Sequence, residues 1–162
     1  MIRLALTLAG GTLFSVTAFA QSTVPTAEFV KKVAISYMLE IQSSELVASN
    51  ADEDTKPFAE KMIKDHSETS KELKGLVQSG KVKAELPTSL DAEHQKKLDD
   101  LKNLSGKALD SAYDKMQVDA HREAVDLFTK YSQTGDNADL KRWGAKTLPH
   151  LKEHLSMAEK LR

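Results

Sequence analysis

The sequence predicts an all-α fold: a bundle of four long helices in which the second and third are joined by a long crossover carrying a short helix. Three observations predict it. Apolar residues recur at helical spacing across nearly the whole chain. Glycine and proline number only seven and four in 162 residues, so long stretches run without a breaker. The breaks that do occur leave two hairpins with short turns and one long connection between them.

The first helix is expected over residues 26–50, with Thr26 as N-cap and Glu28 in the first turn. Its apolar stripe reads Phe29, Val30, Val33, Tyr37, Ile41, Val47 and Ala48. Asp52-Glu53-Asp54 makes a tight turn and caps the second helix, residues 54–79, where Pro57 is tolerated in the first turn. Phe58, Met62, Ile63, Leu73, Leu76 and Val77 form its stripe, and Gly80 stops it. Residues 81–89, with Pro87, read as an extended loop. Thr88 or Ser89 then caps a short polar helix over 91–103 that carries Leu98 and Leu101. Ser105-Gly106 breaks the pattern. The third long helix covers 107–131, with Leu109, Ala112, Tyr113, Met116, Ala120, Ala124, Leu127 and Phe128 facing inward. Thr134-Gly135-Asp136 is a turn, and Asp136 or Asn137 caps the fourth helix, which continues almost to Arg162. Pro149 inside it removes one backbone donor and is expected to kink it. A long crossover between the second and third helices is the connectivity of ferritin-like folds.

The chain's ends and charge narrow the function. Met1-Ile2-Arg3, the apolar run 4–17 and Ala18-Phe19-Ala20 have the pattern of a signal peptide cleaved before Gln21, leaving the bundle domain as residues 21–162 and placing it in the periplasm. That run is shorter than a membrane-spanning helix and carries Gly10-Gly11, so no integral membrane segment is expected after cleavage. There is no cysteine, hence no disulfide and no thiol nucleophile. A formal net charge of −1 excludes the basic footprint of a nucleic-acid binder. No phosphate-binding glycine loop or GxSxG elbow is present. Ser43-Ser44-Glu45 reads as a helical surface run. The methionines lie at scattered heights and read as core packing rather than a copper box.

Four polar residues fall where a helical wheel expects apolar ones. Glu40 lies inside the stripe of the first helix, His66 at the centre of the second, His121 at the edge of the third and His154 inside the fourth. His150 sits one turn before His154, nearer the edge. At about 1.5 Å per residue, Glu40 and His66 differ by about 3 Å in height about their shared turn. The same count puts His150 level with His121 and His154 a turn further, so spacing leaves open which of the two is nearer. A buried carboxylate among apolar side chains must be paired. Imidazoles plus one carboxylate make a donor set suited to zinc, copper or iron, with Asp65, Asp119 or Asp114 placed to orient the rings. The alternative is a metal-free structural or interaction bundle whose buried Glu–His hydrogen-bond network satisfies the same groups. No Glu-x-x-His occurs, which excludes a ferritin-type di-iron centre.

The pieces Phe29 with Glu40-Ile41, Phe58-Ala59-x-x-Met62-x-x-Asp65-His66, Leu104-Ser105-Gly106-x-x-Leu109-Asp110-x-x-Tyr113 with His121, and Leu148-Pro149-x-Leu151-x-x-His154-Leu155-x-x-Ala158 resemble the bacterial domain-of-unknown-function 4142 family. The resemblance covers essentially the whole region after the leader. It implies an exported ferritin-like bundle, in a family often labelled outer membrane proteins, and marks Glu40, His66, His121 and His154. His150 stands outside that pattern. The expectation is one divalent transition-metal ion held by these four residues, with His150 as an added donor. A closed set of four donors leaves no position for substrate, so the expected role is metal sequestration or envelope stress protection, not turnover.

Overall fold

The computed structural model describes residues 23–50 and 55–161; the expected signal peptide and the Asp52-Glu53-Asp54 turn lie outside them. The described residues form five helices: α1 (Thr26–Ala48), α2 (Thr55–Gln78), α3 (Ala92–Lys102), α4 (Gly106–Thr134) and α5 (Ala138–Ala158). The four long ones pack as a bundle. α1 pairs with α2 and α4 with α5, while α1 lies beside α4 and α2 beside α5. Gly80, with φ of 75°, follows the end of α2 in the left-handed region that glycine tolerates best. From there the crossover travels back along the bundle, and α3 rests on α1 and α4. None of these helices is long and apolar enough to cross a membrane.

The caps differ from expectation in two places. Thr26 is the first residue of α1, not its cap; Pro25 precedes it, and the Thr26 hydroxyl bonds instead to Tyr131 Oη and Asp136. This ties the start of α1 to the end of α4. Asp91, rather than Thr88 or Ser89, caps α3 by accepting the His94 backbone N–H at 2.9 Å. Asn137 caps α5 as expected, accepting from Leu140 N at 2.9 Å. α5 runs through Pro149 as one helix and ends at Ala158.

Ser43 and Ser44 correct a third expectation: both are fully buried. Ser44 Oγ and Tyr113 Oη lie 2.7 Å apart, joining α1 to α4. α1 is buried on two sides. Beyond the expected stripe, Ile35 and Leu39 are buried as well, on the side where α3 brings Leu98 and Leu101.

The apolar core comes in two pieces. One end holds Phe29, Leu73, Phe128, Tyr131, Leu140 and Trp143, with Phe29 stacked on Tyr131 at 4.0 Å between ring centroids. The other holds Val47, Phe58, Met62, Leu101, Leu109, Tyr113 and Ala158. Glu40, His66, Gln117, His121 and His154 are all buried, each set along its helix between residues of the two clusters. They form a polar layer between the two oily ends.

Candidate metal centre

Each long helix contributes to this layer because its sequence puts at least one polar residue on the inward face between apolar turns. On α2, His66 follows Met62 by one turn and precedes Leu73 by two. On α5, His154 follows Leu151 and precedes Ala158. His121 on α4 stands two turns before Phe128. The result is a triangle of imidazoles with ring centroids 5.5 Å (His66–His121), 5.3 Å (His66–His154) and 5.4 Å (His121–His154) apart. All three are almost fully buried, and one ring nitrogen from each lies within 4.8 Å of the others.

The hydrogen bonds at the outer nitrogens decide what the inner ones present. His121 Nδ1 donates to the Gln117 carbonyl at 2.9 Å, since a carbonyl can only accept. Its Nε2 therefore carries a lone pair. His154 Nε2 donates to Asp65 Oδ2 at 2.9 Å, which leaves the lone pair on Nδ1. Those two nitrogens and His66 Nε2 are buried and have no hydrogen-bond partner. Leaving three buried ring nitrogens unsatisfied costs about 1–3 kcal/mol each. That is the arrangement expected of rings oriented for a cation.

Electrostatics favour the neutral form of His66 and His154. Burial pushes His66 far below the ordinary imidazole value, helped by the neighbouring His121 and His154. Burial likewise brings His154 down to about 4, although Asp65 works in the opposite direction. Asp65 itself is held below the usual carboxylate range: partial burial opposes this, but the hydrogen bonds from Lys61 and His154 outweigh it. Lys61 Nζ lies 2.8 Å from the same Oδ2.

Glu40 is buried in the layer, but its carboxylate stands outside the three-nitrogen set. Burial pushes its pKa up, offset in part by His121 and by the Gln117 side chain. Its Oε2 has no hydrogen-bond partner. Glu40 Oε2 and the three inward ring nitrogens form no hydrogen bonds with one another. His150 is exposed and does not join the triangle. Of the residues expected to orient the rings, Asp65 does so; Asp119 pairs with Lys115, and Asp114 is buried two turns before His121. Gln117 lies one turn before His121 on α4. Its carbonyl is what sets the tautomer of that ring.

A cleft of about 370 Å³ between α2 and α5 leads to this site, with His66 and His154 among its lining residues.

Residues 13–161 match the model of a family described as domain of unknown function DUF4142, and the chain belongs to that family. No curated protein matches it in sequence. Solved structures that share its fold include the following two. One is CopM in the Cu(II)-bound form, at TM-score 0.70 and 15% identity, covering 86% of this chain and 96% of that one. The other, described as a candidate secreted protein of class DUF305 from Streptomyces coelicolor, has TM-score 0.68 and 14% identity, over 84% of this chain and 89% of the other.

Proposed function

We propose that this is an exported periplasmic metal-binding bundle that holds one copper ion through His66, His121 and His154, for sequestration and protection of the cell envelope. The observation that carries the reading is the set of three buried ring nitrogens with no protein partner among the described residues. Neutral imidazole suits copper and zinc, and among divalent first-row ions the affinity of such a site peaks at copper. The Cu(II)-bound state of CopM supports the choice of metal. In this reading Glu40 supplies negative charge beside His121, where it offsets the charge of the ion without completing the donor set. The N-terminal leader and the described secretion of the DUF305 neighbour support export.

Reconstitution of purified protein with Cu(II), Zn(II) or Fe(II), followed by desalting, metal analysis and melting with and without chelator, tests it. One retained copper per chain and a chelator-sensitive rise in Tm are expected. Absent metal with a chelator-insensitive melt overturns the reading.

A further inference from the structure

A buried triangle needs a way in, and the packing leaves one side for it. Along the bundle axis the layer is shut at both ends: Phe29, Phe128, Tyr131 and Trp143 close one, and Val47, Phe58, Met62 and Tyr113 the other. Sideways, α1–α2 and α4–α5 are the closely packed hairpins. That leaves the α1–α4 and α2–α5 faces. α3 and the crossover lie across the first. Two hollows there, of about 650 and 480 Å³, are lined by no residue of the triangle. Among the described residues the α2–α5 face has no such cover, and its cleft reaches both His66 and His154.

The chemistry of that cleft suits a cation. Its walls carry four carboxylates, Asp65, Glu68, Glu72 and Glu153, against the ammonium groups of Lys61 and Lys146. Lys61 pairs with Asp65 and, at 3.8 Å, with Glu153, and Lys146 pairs with Glu72. Four carboxylates against two ammonium groups leave net negative charge at the mouth, where Glu68 and Glu153 are exposed. A low-dielectric cleft lined by one sign of charge raises the local concentration and arrival rate of the opposite sign. At the floor sits His66, 2% exposed, whose Nε2 has no partner among the described residues.

Resting on the metal reading above, we propose that the α2–α5 cleft is the port through which a hydrated divalent transition-metal cation passes between solvent and the triangle. Residues that only line a route change loading and release by the same factor, whereas donors change the equilibrium. The two roles are therefore separable.

The test uses Cu(II) and the chain's single tryptophan, Trp143, as a quenching reporter in rapid mixing. Glu68→Phe with Lys146→Phe places two rings over the mouth, at exposed positions. Lys97→Phe with Glu123→Phe does the same over the α1–α4 side. The first pair is expected to slow loading and chelator-driven release alike by about tenfold, leaving Kd within about twofold. The second pair is expected to match the unmodified protein. Unchanged rates in the first pair, or equal slowing in both, overturn the port while leaving the metal site standing. If the unmodified protein shows no Cu(II) binding, or His66→Ala binds as well as it does, the metal reading fails and the port with it.

Discussion

His154 Nε2 donates to Asp65 Oδ2 at 2.9 Å across the α2–α5 interface, so one carboxylate fixes the tautomer of a ring carried by another helix. Lys61 holds the same oxygen from one turn earlier on α2. Asp65→Ala removes the acceptor and frees the ring to turn. Cu(II) affinity is expected to fall by about 10- to 100-fold, the usual effect of losing a partner behind a ligand. Asp65→Asn, which can still accept, is expected to fall less. A chelator competition titration measures both, and equal affinities in all three proteins would show that Asp65 orients nothing.

The two histidines of α5 differ in burial, and their variants should differ accordingly. His154 is 2% exposed and belongs to the triangle; His150 is exposed. His154→Ala is expected to abolish the metal-dependent rise in Tm. His150→Ala, like His94→Ala on α3, is expected to leave Kd within about twofold. A ligand present at 100 times its Kd stabilises by about 2.7 kcal/mol, so the presence or loss of that rise is easily read in a melting curve.

Without metal, the protein is expected to lose stability as pH falls from about 6.5 toward 4. His154 titrates at about 4 in the fold, against an ordinary value of 6.5, and His66 is lowered further still. Below pH 6.5 the unfolded chain therefore takes up protons that the folded chain refuses, and the balance tips toward unfolding. The slope approaches the order of 1 kcal/mol per pH unit for each ring. For His154 it flattens once the folded ring also titrates. Melts of chelated protein across this range check the sign, which a His66→Ala/His154→Ala double variant should weaken.

Phe29 tests the architecture independently of the site. It stacks on Tyr131, meets Phe128 edge-on at 5.0 Å and approaches Trp143 at 6.5 Å. Phe29→Ala is expected to cost about 3–5 kcal/mol in denaturant unfolding, as for other buried aromatics. One copper per folded chain should still bind.

Much of this was legible in the chain. Helix bounds within a few residues, the Asn137 cap and the crossover followed from periodicity and breakers, because the apolar stripes are long. The three histidines were legible because each interrupts such a stripe. Height counting could not separate His150 from His154; wheel angle could, since His154 shares its face with the buried Thr147, Leu151 and Ala158. Ile35 and Leu39 were missed because a two-sided helix has no single stripe, and α3 supplies the second side from far along the chain. Ser43 and Ser44 misled for a related reason. Small hydroxyls look solvated until a partner such as Tyr113 Oη is known. Glu40 was rightly placed inside, but no one-dimensional pattern reports whether its carboxylate reaches the nitrogens.

The band of hydrophilic side chains dividing the core also governs how the rods align. A slip of any one helix by a single turn, about 5.4 Å, would slide an imidazole or carboxyl against Phe58, Met62 or Phe128 and draw an oily side chain among the ring nitrogens. In a purely greasy interior such sliding would cost packing alone. Here every neighbouring alignment is penalised, so the same residues that await an ion also act as a notch that keeps the four rods in step.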